Sequence, residues 1–388
     1  MKVAVIAGEV SGDLLGADLV SALKARTDRP VQLIGVGGEA LQAQGLASIF
    51  DFSELSIMGF TQVILRLPKL LYRIRQAARA IIAARPDVLV IIDSPDFTHR
   101  VAKRVRAALP ELPIVDYVCP SVWAWKEYRA QQMLAYVDHV LAILPFEPAV
   151  MERLGGPPTT YVGHRLASDA HLLAARRTRA EHRHDEGQGP RTILLLPGSR
   201  SAEIARQLPV YELTVEEFSR RNGEARFLMP TVPHREDMVR ELTRGWRVRP
   251  EIVIGQEGKW QAFAEADAAI AASGTVLLEL ALAGVPVVST YGTDWIVKLL
   301  HKRIKTWTAA LPNLIADYVV VSEQINETMR PGILVRHLER LAGDTPQRKA
   351  MAEGFDLVWQ RMQTPVPPGE RAAAVLLGLL ETKKPGHR

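Results

Sequence analysis

Val88-Leu-Val-Ile-Ile-Asp-Ser-Pro-Asp-Phe97 is the stretch that decides the fold. Its apolar start, mostly β-branched, describes a strand buried on both faces, as in a parallel sheet covered by helices. The run breaks at Asp93, with Pro95 and Asp96 close behind. In an open α/β sheet, ligands bind in the crevice beyond the carboxyl ends of the strands. A carboxylate at that point can cap the following helix or act on a bound ligand. Asp93 stands at the strand end itself, so it is the candidate base, and Asp96 is left to cap or brace.

Upstream, residues 3–7 form a short apolar strand. Gly8-Glu-Val-Ser-Gly-Asp13 and a helical pattern through Leu14, Leu15, Leu19 and Leu23 follow it. Strand, glycine-containing turn and helix open a Rossmann-like unit whose helix N-terminus can receive an anion. Residues 31–34 read as a second strand, leading into Gly35-Val-Gly-Gly-Glu-Ala40. That segment fits the G-x-G-x-x-A dinucleotide fingerprint, but it follows the second strand rather than the first, so a tight turn is the better reading.

The chain has 388 residues, 47% hydrophobic and 23% charged, which suits two or three domains with sizeable cores. A formal charge of +5 is compatible with phosphorylated small molecules, an anionic membrane surface or nucleic acid. The single cysteine, Cys119, rules out an intrachain disulfide framework and fits a reducing compartment. The apolar start is too short for a signal peptide, and no uncharged apolar run approaches the ~18 residues of a spanning helix. A soluble or peripheral protein is expected.

Residues 56–85 mix Ile57, Phe60, Leu70, Leu71 and Ile74 with Arg66, Lys69, Arg73, Arg75 and Arg79, and no acid lies between Glu54 and Asp87. Such a segment suits an anionic membrane surface or a core helix with a basic outer face, and Pro68 is expected to divide it. Residues 114–118 form a strand ending in Cys119-Pro-Ser-Val-Trp-Ala-Trp-Lys-Glu-Tyr-Arg129, a loop whose indoles and cations suit a ligand or a lid. Ser121 and Trp123 are candidates there. His164, after residues 160–162, could contact a ligand or serve as a structural group. The charged stretch 171–190 reads as a linker between domains.

Strand–helix alternation then restarts. Residues 192–196 form a strand, followed by Pro197-Gly-Ser-Arg200 and a helix. Gly198 and Ser199 offer N–H groups to a phosphate, and Arg200 adds a bidentate donor. Further strands are expected at 226–229, 251–254, 268–271 and 285–289. The stretch at 268–271 leads into Ala272-Ser-Gly-Thr275, where Ser273, Gly274 and Thr275 open a helix carrying Glu279 one turn on. Hydroxyl and amides suit a diphosphate, and the carboxylate suits ribose hydroxyls. Residues 294–307 form a second basic amphipathic stretch. Asn313 supplies the polar group of Leu311-Pro-Asn-Leu-Ile315, and helices are expected from Pro331 to about Leu380.

The expected organisation is an N-terminal Rossmann-like domain (1–170), the charged linker (171–190), a nucleotide-binding Rossmann-like domain (191–350) and C-terminal helices with a tail (351–388). The fold class is α/β, two Rossmann-like domains facing across a cleft. With a carboxylate in one half and a diphosphate site in the other, this suggests a sugar-nucleotide glycosyltransferase of GT-B architecture.

Eight segments closely resemble the lipid-A-disaccharide synthase family, in that family's order and over nearly the whole chain. They are Ala7–Asp13, Ile92–Phe97, Pro120–Trp125, Leu144–Glu147, Val162–His164, Leu196–Arg200, Ala272–Thr275 with Glu279, and Leu311–Leu314. The resemblance implies an inverting, metal-independent GT-B enzyme with no cofactor. It would condense UDP-2,3-diacylglucosamine with 2,3-diacylglucosamine 1-phosphate, releasing UDP. It also implies Asp93 as general base and Arg200 on the leaving diphosphate. Ser273, Gly274, Thr275, Glu279 and Asn313 would line the UDP site, with Glu9, Ser11, Asp96, Ser121, Trp123 and His164 as further candidates. A peripheral inner-membrane location on the cytoplasmic face and a homodimer are implied too. The loops at Gly38–Leu41 and Val321–Gln324 depart from the family pattern.

Three other readings compete. One is another GT-B transferase or 2-epimerase acting on UDP-N-acetylglucosamine. A second is a nicotinamide enzyme using Gly35–Ala40, and a third is a membrane-binding scaffold. Nucleic-acid binding is not expected, since no clustered cations sit on a recognisable module.

Overall fold

The computed structural model describes residues 1–55, 60–182, 190–292 and 305–382, with side chains undescribed at 60–67 and 182. It divides into two units, Met1–Arg165 with Thr364–Arg388, and Leu166–Gln363. Each is built on a six-stranded sheet in which every pairing is parallel.

The first sheet contains β1 (Lys2–Ala7), β2 (Gln32–Val36), β3 (Val88–Ile92), β4 (Ile114–Tyr117), β5 (His139–Ala142) and β6 (Thr159–Tyr161). Their order is β2-β1-β3-β4-β5-β6, so the winding reverses between β1 and β3. Every residue of β3 is fully buried, because helices cover both faces of the sheet. Helix Val10–Arg26 packs Leu15, Leu19 and Leu23 against one face, and Phe60–Ala84 and Pro95–Ala108 cover the other through Ile74, Ile81 and Val101.

The second sheet contains β7 (Arg191–Leu196), β8 (Ala225–Thr231), β9 (Glu251–Ile254), β10 (Ala268–Ala272), β11 (Val287–Tyr291) and β12 (Glu323–Ile325). Its order, β12-β11-β10-β7-β8-β9, is that of a dinucleotide-binding fold and reverses between β7 and β10. The three-residue edge strand β12 is absent from the sequence reading, being too short to carry a period.

Three expectations are corrected. Residues 171–182 belong to a packed helix, Ala170–His182, rather than a linker. Leu172 and Ala175 are buried, and the arginines serve other helices' C-terminal carbonyls: Arg176 donates to Leu282 O (2.9 Å) and Arg179 to Gly284 O (3.2 Å) and Phe263 O (3.0 Å). Residues 183–189 lie outside the described residues. The helix Phe60–Ala84 runs on through Pro68, its later turns held by Ile74, Ala77, Ala78 and Ile81 in the core. Of the basic side chains there, Arg73 is engaged by Glu54 at 2.7 Å through two guanidinium nitrogens and lies over the Phe50 ring. The segment 351–388 does not stay together, since Pro346–Met362 lies in the second unit and Pro368–Thr382 in the first. Most of the amphipathic stretch 294–307 and residues 56–59 lie outside the described residues.

Candidate active site

In the first unit, Ala7 pairs with Ile92, so the segments leaving β1 and β3 emerge side by side where the winding reverses. A Cβ on Gly8 would stand 2.1 Å from Ser94 Cβ, so only glycine lets the first turn cross the end of β3. Asp93 and Ser94 have φ of +54° and +44°, a left-handed corner at the end of β3. Ser94 N–H donates to Asp93 Oδ1 at 2.6 Å, and Thr98 Oγ1 donates to the Asp93 carbonyl at 2.7 Å. Asp93 stays half-buried. Glu9 joins it, accepting from Ser94 Oγ at 3.4 Å. Ser11 and Asp96 are exposed in the first turns of their helices, where Asp96 complements the helix dipole.

Asp13 has another task. Buried at 4% exposure, it accepts the N–H groups of Gly38 (2.7 Å), Ala40 (2.9 Å) and Leu41 (3.3 Å). The fingerprint-like segment Gly35–Ala40 therefore has its helix N-terminus occupied by a carboxylate of the protein, which takes up three of the N–H groups a pyrophosphate would use there.

Beyond β4, Ser121 is exposed, while the Trp123 indole lies edge-on to Phe146 with ring centroids 5.5 Å apart. Beneath them Glu147 accepts from Leu144 N–H at 3.0 Å and Ile143 N–H at 3.2 Å. Burial pushes its carboxyl up to about 8 against those donors. Burial pushes the His164 imidazole down to about 4, which keeps it neutral at physiological pH.

In the second unit, Leu196 pairs with Ala271, so Pro197–Arg200 and Ala272–Thr275 also emerge as neighbours at a reversal of winding. Gly198 takes φ +103° to make the turn. Ser199 and Arg200 are exposed ahead of helix Ser201–Asn222; Gly274 and Thr275 are exposed and Ser273 half-buried ahead of helix Thr275–Ala283. Two helix N-termini and the exposed Arg200 thus stand at the carboxyl ends of neighbouring central strands, a set of donors suited to a diphosphate. Two more cations stand near them. Arg235 Nε donates to Ser199 O at 3.3 Å, and Lys259 Nζ lies 3.1 Å from both carboxylate oxygens of Glu279. Sequence reasoning missed both, because they arrive from segments flanking β8 and β9 whose nearness depends on strand order. Asn313, by contrast, is fully buried and its amide is used within the protein. It donates to Thr308 Oγ1 (3.1 Å) and Val321 O (2.9 Å) and accepts from Val320 N–H (2.9 Å) and Val321 N–H (2.7 Å). The structure gives it the loop, not a ligand.

A family model described as lipid-A-disaccharide synthetase matches residues 3–364. The chain belongs to the lipid-A-disaccharide synthase family. Among relatives carrying that name, one from Nitrobacter winogradskyi is 47% identical over 97% of this chain and 95% of its own length. One from Rhodospirillum centenum is 37% identical over 97% and 94%. The activity is accordingly glycosyl transfer in lipid A disaccharide synthesis. Solved structures share the GT-B fold. Acinetobacter baumannii MurG aligns with TM-score 0.57 and 16% identity over 98% of this chain and 99% of its own. CalG4, the calicheamicin glycosyltransferase, aligns with 0.60 and 14% over 99% of each. In this lipid-A-disaccharide synthase family member, no cluster of three or more His, Cys, Asp or Glu able to hold a metal ion exists among the described residues.

Proposed function

We propose that the chain condenses UDP-2,3-diacylglucosamine with 2,3-diacylglucosamine 1-phosphate, with inversion at the anomeric carbon. Asp93 takes the proton from the acceptor's 6-hydroxyl as that oxygen bonds to the anomeric carbon. The bond from this carbon to the UDP oxygen breaks, and charge develops on the diphosphate. Arg200, with Gly198 and Ser199 before one helix and Ser273, Gly274 and Thr275 at the start of another, meets that charge, and Glu279 accepts from the ribose. Arg235 adds a second cation beside Ser199. Preorganised donors of this kind replace a metal ion in stabilising the leaving group. The observation that carries the reading is the placement of both residue sets where their sheets reverse winding.

The same reading assigns a peripheral position on the cytoplasmic face of the inner membrane and a homodimer. The acylated substrates support the membrane surface, as does the acid-free helix Phe60–Ala84 with exposed Tyr72. Exposed Trp125 and Tyr128, with Lys126 over the Trp125 ring, supply anchors of interfacial type. No helix among the described residues is long and apolar enough to cross a membrane.

The test is UDP release from UDP-2,3-diacylglucosamine in detergent micelles, with and without acceptor, for wild type and Asp93→Asn, with EDTA present. Acceptor-dependent release that survives EDTA and collapses in the variant is expected. Turnover of UDP-N-acetylglucosamine without either lipid would overturn the reading.

A further inference from the structure

In the UDP reading above Glu279 accepts from the ribose, and its carboxylate is already held within the protein. Lys259 Nζ stands 3.1 Å from Oε1 and 3.1 Å from Oε2, bisecting the carboxylate. The two side chains are 19% and 18% exposed, so the pair is largely withdrawn from water, unlike most surface ion pairs. The ammonium is held from a second side, 4.4 Å above the Trp260 ring and 5.9 Å from that of Phe263. Lys259 belongs to helix Gly255–Glu265 and Glu279 to the neighbouring helix Thr275–Ala283. A lone glutamate has a soft terminal torsion and samples many carboxylate planes. Clamped by one cation, it keeps one plane. An ionised carboxylate has about four lone-pair sites, and an ammonium contacting both oxygens leaves sites for further donors.

We infer that Lys259 is a positioning residue for nucleotide recognition: it fixes the Glu279 carboxylate in the plane that accepts the ribose hydroxyls, and so makes the second unit select a ribonucleotide over its 2′-deoxy form. The inference rests on the UDP reading above and adds a residue and a selectivity to it. Preorganisation is the physical source of the effect, since an acceptor already held in place loses no rotamer entropy on binding. A lysine that only stitched two helices together would affect both nucleotides alike.

The experiment is calorimetric titration of the full chain with UDP and with 2′-deoxy-UDP. Wild type, Lys259→Met, Lys259→Gln, Lys259→Arg, Glu279→Gln and the Lys259→Met/Glu279→Gln double variant are compared, each checked for folding by circular dichroism. Wild type is expected to prefer UDP by roughly 10- to 100-fold, the range of one hydrogen bond to a charged group. Lys259→Met should cut that preference to about threefold or less, mainly by weakening UDP, and Lys259→Arg should restore part of it. On the Glu279→Gln background, loss of Lys259 should change the preference no further. If Lys259→Met fails to fold, Lys259→Gln gives the same comparison. Equal weakening of both nucleotides, or an undiminished preference in the lysine variants, overturns the inference and leaves the UDP reading intact. A wild type that binds neither nucleotide overturns both.

Discussion

The carboxylate of Asp13 accepts the N–H of Gly38 at 2.7 Å, joining the start of helix Val10–Arg26 to the turn after β2. Two further N–H groups converge on the same side chain. Asp13→Ala would leave three N–H groups without this acceptor, those of Gly38 and Leu41 buried and that of Ala40 part-buried. Each buried donor costs about 1–3 kcal/mol, so a loss of at least about 2 kcal/mol in urea unfolding is expected. Titration with reduced nicotinamide cofactor should leave its fluorescence unchanged, because the protein itself fills the site a pyrophosphate would need.

Asp93 is better tested by asparagine than by alanine. At φ +54°, asparagine is tolerated where alanine is strained, and its amide oxygen still accepts from Ser94 N–H. Asp93→Asn should lower kcat by about 10²–10⁴-fold, the range of positioned general-base catalysis, with Tm close to wild type. Asp93→Ala should lose stability as well. Steady-state kinetics and thermal melts separate the two effects.

Arg200 donates no side-chain hydrogen bond recorded among the described residues, and its backbone carbonyl, not its guanidinium, serves the helix, accepting from Glu203 and Ile204. Arg200→Ala should therefore leave Tm unchanged while costing roughly 10²-fold or more in kcat, as removal of one transition-state donor does elsewhere. Arg200→Lys should recover only part of this, since an ammonium lacks the guanidinium fork. A kcat unchanged in both variants would remove Arg200 from the chemistry.

Glu147 makes stability depend on pH. Burial raises its carboxyl to about 8, well above the unfolded value, so the folded chain binds a proton that the unfolded chain has released. Its contribution to stability then falls as pH rises from the unfolded value through about 8, and levels off above that. Glu147→Gln keeps an oxygen for Leu144 N–H and removes the titration. The difference in Tm between variant and wild type should widen in the variant's favour from pH 5 to pH 9. A constant difference would show that Glu147 is already ionised in the folded chain.

Asn313 separates building from binding. Asn313→Ala would unpair two backbone N–H groups and a carbonyl in a fully buried place, with an expected cost of about 3 kcal/mol or more. UDP affinity at a temperature where the variant is folded should stay within about twofold, below the loss of a single hydrogen bond. A larger loss would restore Asn313 to the nucleotide site.

Much of this was readable in advance because buried parallel strands advertise themselves. The runs read at 88–92, 192–196 and 268–271 become central strands, and the residues that end them stand where each sheet reverses. What the sequence withheld depends on which elements become neighbours. Lys259 and Arg235 lie within ordinary charged segments until strand order brings them to Glu279 and Ser199. Asp13 sat inside a motif, yet its three partners lie 25 to 28 residues away. The arginines of 176–179 look like a solvated run, and only the folded structure reveals the helix-end carbonyls they serve.

The helix Pro368–Thr382 has a consequence for how the protein is made. Ala372, Ala373 and Leu376 complete the apolar core that Leu19 and Leu23 begin, Gly369 lies close against the Asp18 backbone, and Glu370 pairs with Arg26 at 2.9 Å. During synthesis the first unit starts to emerge from the ribosome before the second, yet it is finished after it. Until residues beyond 367 have been translated, helix Val10–Arg26 carries an uncovered apolar face while the whole second unit passes through the exit tunnel. The nascent chain thus waits with its earliest helix unfinished, and a chaperone or the membrane surface has that interval in which to cover it.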